Sequence, residues 1–138
     1  MTQENSVMIL LISLFNRKSQ AEENCHRPVE IGPYRICLNS RGRIPVILQR
    51  IQQKKTEVFN LIYMDLEALK MSLRTREVYV YRRSKKMVQK LYSQAEQGYL
   101  IQSVKIAKNG RAFLMTVHSE NFGKENQTFI HELEWEKL

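Results

Sequence analysis

The four residues Lys108-Asn109-Gly110-Arg111 separate two strand-like runs, Tyr99–Ala107 and Ala112–His118. Asn-Gly readily supplies the left-handed backbone of a two-residue turn, so this piece commits the C-terminal half of the chain to an antiparallel hairpin. No other short signal in the sequence is as restrictive. Around it lie 138 residues, of which 43% are hydrophobic and 26% charged. That balance describes one ordinary soluble domain and excludes a mostly disordered chain. A domain of this size buries enough surface to fold without a cross-link.

Strand signals recur upstream of the hairpin. Ile44–Ile51 is rich in β-formers, with Pro45 near its start, and Lys54-Lys55 marks a turn into the apolar run Glu57–Tyr63. The period then changes. Asp65 is placed to cap a helix through Leu66, Leu69, Met71 and Leu73, with Glu67 in its first turn. Glu77–Arg82 alternates like a strand, and Ser84–Gln97 reads as a helix or ordered loop. Ser19–Pro33 is polar and carries Pro28 and Gly32-Pro33, which predicts a loop, and the tail Thr128–Leu138 is expected to add a strand or helix. Together these elements predict an α+β domain with a mainly antiparallel sheet and one or two helices.

Two further features bear on partners. Lys and Arg number 22 against 14 Asp and Glu, a formal charge of +8, which favours acidic partners such as RNA, DNA or phosphorylated ligands. Cys25 and Cys37 are the two cysteines; they could form one disulfide, but a single pair does not make a secreted scaffold, so reduced thiols and an intracellular address are the favoured expectation. The apolar run Val7–Phe15 is too short to span a bilayer and follows MTQENS, which has no Lys or Arg. It is therefore read as a buried strand or short helix, with no transmembrane segment.

Three segments resemble, in order and spacing, the phosphoribosyl-AMP cyclohydrolases of histidine biosynthesis. They are Gly42–Gln49 (GRIPVILQ), Glu57–Leu69 (EVFNLIYMDLEAL) and Thr75–Lys86 (TREVYVYRRSKK). The likeness continues through Ser103–Ile106 and Ala112–Leu114, covering roughly residues 42–118. It implies a cyclohydrolase-like fold over residues 41–122, an N-terminal extension and loop over 1–40, and an acidic C-terminal tail over 123–138. It also implies an intertwined homodimer.

The catalytic pieces of that family are absent. Where its members carry D-C-D-x-D to hold magnesium and zinc, this chain has Ala107, Lys108, Asn109, Gly110 and Arg111. A Lys and an Arg repel a cation, and neither is a hard-oxygen or thiolate ligand. The later zinc motif is replaced by Lys124–Leu133, and no cysteine follows Cys37. The segment that contacts substrate in the family survives only as Ser93–Gly98. The resemblance therefore implies a pseudoenzyme, with no catalytic residues, no bound metal and no cofactor.

Basic residues stand in place of the lost chemistry. Arg82, Arg83, Lys85, Lys86 and Lys90 are interleaved with Tyr79, Tyr81 and Tyr92, and Ser84 lies among them. With Lys108 and Arg111 they form the candidate phosphate- or nucleic-acid-binding set, and Arg41, Arg43, Arg50, Lys54 and Lys55 make a second basic group. The leading reading is a non-catalytic subunit of a larger, RNA-containing assembly, as a homodimer or in a hetero-complex. The alternative is a binding module for a phosphoribosyl or adenine nucleotide, with Arg83, Ser84, Lys108 and Arg111 on the phosphate. A residual hydrolase is the third reading, seeded by His118, Glu120 and His131.

Overall fold

The computed structural model describes residues 25–93, 96–119 and 127–138. The predicted Val7–Phe15 element lies outside them. Among the described residues, eight strands and one α-helix follow in order: β1 (Arg27–Ile31), β2 (Tyr34–Leu38), β3 (Arg43–Gln52), β4 (Lys55–Asp65), α1 (Leu66–Thr75), β5 (Tyr79–Arg82), β6 (Met87–Lys90), β7 (Leu100–Ile106) and β8 (Phe113–His118).

A four-stranded sheet of order β4-β3-β8-β7 forms the centre, flanked by the two-stranded pairs β1-β2 and β5-β6. β3 runs antiparallel to β4 and parallel to β8, with Val46 opposite Phe113 at the start of the parallel register. Pro45 precedes that register, so its missing N–H costs no bond to β8. Alternation along β3 buries Ile44, Val46 and Leu48, which pack with Phe59, Met64, Leu69, Val80, Phe113, Met115 and Val117. Ile36 and Leu38 of β2 join the same core, so the segment before residue 40 contributes to its packing.

Asp65 caps α1 as its position predicts: its carboxylate accepts the Ala68 N–H at 2.7 Å. The helix ends at Arg76, which takes a left-handed φ of 61° and donates to the Ser72 carbonyl. Ser72 is fully buried and its hydroxyl accepts the Tyr79 N–H at 2.9 Å, tying the helix to the start of β5.

The predicted hairpin is present as β7–β8, with Gly110 at φ +72°. Its turn does not project freely. The Gly110 carbonyl accepts the Cys37 N–H at 2.8 Å, and a Cβ on Gly110 would stand 2.9 Å from the Arg35 carbonyl.

Four expectations are corrected. The α+β class gives way to a mainly β molecule: strands dominate and α1 is the only α-helix among the described residues. Part of the reason lies in Ser84–Gln97, which in place of a helix holds a strand: Met87–Lys90 pairs with Tyr79–Arg82 through a turn at Lys86 (φ 51°). The hairpin gives the backbone of β5 a partner that a helix could not supply. Likewise Arg27–Ile31, within the predicted loop, is a strand, because Gly32 (φ 54°) and Pro33 turn the chain back along β2. Finally, the cysteines are not free thiols. The β1–β2 register sets Pro28 opposite Cys37, which carries Cys25 within 5.8 Å Cα–Cα, and the two form a disulfide. The tail is a 3-10 turn at Trp135–Lys137 and otherwise irregular.

Candidate functional site

A strongly basic concavity among the described residues is an open groove of about 760 Å³ between the β2–β3 turn, the edge of β4 and the β5–β6 hairpin. One wall is Asn39, Ser40, Arg41 and Arg43; the other is Tyr81, Arg82 and Arg83. Ile62, Val80 and Leu91 contribute apolar surface, while Asn60, Leu61 and Tyr63 line it from β4.

The first wall is built by Asn39. Its side-chain oxygen accepts the N–H groups of both Arg41 (2.9 Å) and Arg43 (3.0 Å), and its carbonyl accepts the Gly42 N–H. This Asx-type turn fixes the backbone that carries two arginines. The second wall is the end of β5, where the Arg43 guanidinium lies 4.4 Å from the Tyr81 ring centroid. That stacking joins the two walls across the groove without consuming the charge.

Four guanidinium groups therefore line one cavity, and no carboxylate among the described residues lines it. Such a surface concentrates anions, and its forked donors match phosphate oxygens. Tyr63, 48% exposed, adds an aromatic face at the rim.

The remaining candidates have other fates. Ser84, Lys85 and Lys86 are exposed on the β5–β6 turn, next to the groove in sequence but not lining it. Lys90 is ion-paired with Glu77, and the hydrogen bond to that carboxylate raises its pKa above the usual lysine value. Arg50 is turned into the protein, where its guanidinium donates two bonds to Glu57 at 3.1 and 3.2 Å. Lys54 and Lys55 sit at the exposed β3–β4 turn, away from the groove lining. Lys108 and Arg111 flank the docked β7–β8 turn.

Lys108 instead borders a second cleft of about 720 Å³, with Lys105, and walls that include Ile31, Tyr34, Leu73 and Phe113. Arg83 and Lys108 thus line separate cavities, and the four-residue phosphate set of the nucleotide reading is not assembled. His118 and His131 are exposed, and Glu120 lies outside the described residues. Among the described residues no group of three or more His, Cys, Asp or Glu is placed to hold a metal ion.

The groove contains contributors that sequence reasoning missed. Asn39 was legible in principle, since Asn-Ser-Arg-Gly is turn chemistry. Asn60 and Tyr63 were not, because only the β4 edge position exposes them. The segments that resemble the cyclohydrolases fall on β3, on the β4–α1 junction and on β5. No family model matches the chain, and no curated protein matches it.

Proposed function

We propose that this chain is a non-catalytic binding domain whose arginine groove holds the phosphate backbone of single-stranded RNA within a larger assembly. The observation that supports it is the convergence of Arg41, Arg43, Arg82 and Arg83, from two separate turns, on one open groove that no described carboxylate lines. Tyr63, exposed at the rim, offers bases a stacking surface beside the phosphate donors. In this reading the cyclohydrolase resemblance marks a pseudoenzyme, with Lys108 and Arg111 where that family holds cations. The subunit acts as a homodimer or in a hetero-complex. No helix among the described residues is long and apolar enough to cross a membrane. An RNA partner implies an intracellular site, in a compartment that allows the Cys25–Cys37 disulfide to persist.

The test is fluorescence anisotropy of a labelled single-stranded oligonucleotide over a salt series. Joint Arg41→Ala and Arg82→Ala substitution is expected to weaken binding about tenfold or more, lowering the salt slope by about 0.7 for each phosphate no longer neutralised. Joint Lys108→Ala and Arg111→Ala substitution leaves the affinity unchanged. No binding by the native chain, or binding indifferent to the arginines, defeats the proposal.

A second reading rests on the other cleft. Its size suits a small ligand, and Lys105 and Lys108 would meet a nucleotide phosphate there. A rise in melting temperature with adenine nucleotides or phosphoribosyl compounds, abolished by Lys108→Ala, supports it. A flat response across the panel counts against it.

A further inference from the structure

β4 is an edge strand of the central sheet. Its outward-facing backbone groups are met in an unusual way. The Phe59 carbonyl accepts the Thr128 N–H at 2.8 Å, while the Leu61 N–H is held by the side chain of its own neighbour, Asn60, at 2.9 Å. Tyr63, two residues on, turns its peptide groups the same way. Open edges of this kind accept added strands.

The start of the C-terminal tail already lies against this edge, joined to it by one backbone bond and by side-chain bonds. Gln127 bonds to Glu57 and to the Val58 carbonyl, and Thr128 bonds to Phe59 and Asn60. The contacts advance along β4 in its own direction, toward Tyr63 and the arginine groove. Pairing stops there in the structure, and the residues beyond are exposed: Phe129, Ile130, Leu133 and Leu138 are all more than half exposed, and Trp135 is 77% exposed. So much apolar surface in about ten residues calls for a cover.

Extended, the tail carries its carboxylates on one side: Glu132, Glu134 and Glu136 share one parity, with Ile130 and Leu138, and Phe129, His131, Leu133 and Trp135 share the other. At about 3.3 Å per residue, the four steps from Thr128 to Glu132 match the four from Phe59 to Tyr63. An extended tail therefore delivers carboxylates to the cavity that is lined by arginines and by no described carboxylate.

We propose that the open edge of β4 is the docking site of the chain's own tail, which adds as a parallel strand over residues 128–134, as far as β4 extends, and sets Glu132 and Glu134 against the Arg41–Arg43–Arg82–Arg83 groove. There the tail competes with a phosphate backbone. The docking stands on its own; the competition rests on the nucleic-acid reading above. Because the tail is tethered beside the groove, its effective concentration is high and only multivalent polyanions displace it.

Trp135 is the only tryptophan, so its emission reports the tail directly. Acrylamide quenching is measured on the full chain and on the joint Glu132→Gln, Glu134→Gln, Glu136→Gln variant, at low and high salt. The native chain is expected to be several-fold less quenchable at low salt, with the difference lost at high salt as screening removes the attraction. Equal quenching of the two chains at low salt overturns the docking. A labelled single-stranded oligonucleotide is then added. Rising quenchability of native Trp135, with several-fold tighter oligonucleotide binding by the variant, supports competition; bound oligonucleotide that leaves Trp135 protected overturns it. If neither chain binds the oligonucleotide, the nucleic-acid reading and the competition fail, while the low-salt quenching still decides the docking.

Discussion

Two hairpin turns of this protein carry nearly the same charge and have opposite fates. The β5–β6 turn bears Arg83, Lys85 and Lys86 and stands exposed beside the groove. The β7–β8 turn bears Lys108 and Arg111, but Gly110 between them is buried and bonded to β2. The first presents charge; the second uses backbone to hold two sheets together. Packing of a turn's backbone and exposure of its charge are therefore separate properties, since Lys108 and Arg111 stay exposed while Gly110 between them is buried. Arg50 and Lys90 extend the point, since each is neutralised by a carboxylate partner, Glu57 and Glu77.

The comparison is broken most forcefully at Gly110. Its φ of +72° disfavours any side chain, and a Cβ would stand 2.9 Å from the Arg35 carbonyl, a backbone atom that cannot swing aside. Gly110→Ala is expected to cost about 2–4 kcal/mol, the sum of left-handed strain and overlap. Gly32 has a similar φ, +54°, but a methyl group there would meet nothing within 4 Å, so Gly32→Ala is expected to cost only about 1 kcal/mol. Urea denaturation of the two variants measures the difference. Equal losses would mean that the β7–β8 turn is no more tightly docked than the β1–β2 turn.

Arg50 sharpens the contrast from the other side. Arg50→Met keeps much of the buried volume and removes the bonds to Glu57, which is itself half-exposed and regains water. A loss of about 1–2 kcal/mol is expected, with oligonucleotide affinity unchanged. Weaker binding in a stably folded Arg50→Met chain would show that the groove depends on charge beyond its lining.

Local rules carried most of the elements that could be read from the sequence. The hairpin at Asn109-Gly110, the Asp65 cap and the alternation along β3 each act within a few residues and each is present, although the hairpin closes through a longer turn in which Gly110 alone is left-handed. What failed depended on distant partners. Met87–Lys90 has little strand character alone and is a strand because β5 lies beside it. Arg27–Ile31 carries a proline and still pairs, since β2 returns along it. The site divided the same way. The arginines were visible as charge, but their convergence required β4 to hold the β2–β3 turn opposite β5, a relation between distant stretches of chain that no local pattern encodes. The disulfide followed from register as well.

The β3–β4 turn offers a gain rather than a loss. Gln53 and Lys54 both hold left-handed φ, 51° and 64°, without the residue types that favour it. Replacing the pair by Asn-Gly places at both positions of this two-residue turn the residue types that tolerate left-handed φ. A stabilisation of about 0.5–1 kcal/mol is expected, with no change in oligonucleotide binding if Lys54 takes no part in the groove. Loss of affinity would return the β3–β4 turn to the binding surface.

The smallest effect is confined to alkaline solution. Lys90 has a folded-state pKa raised above its ordinary 10.5, chiefly by its hydrogen bond to Glu77. A raised folded pKa means that the folded form holds this proton more tightly than the unfolded chain does. The contribution is therefore complete below the ordinary lysine pKa and is lost as pH rises through the folded value. Melting temperatures of the native chain and of Lys90→Met, followed from neutral pH into the lysine titration range, are expected to converge at the alkaline end. Parallel curves would mean that Lys90 gains nothing from Glu77, and it would then rejoin the lysines of the β5–β6 turn as charge available to a ligand.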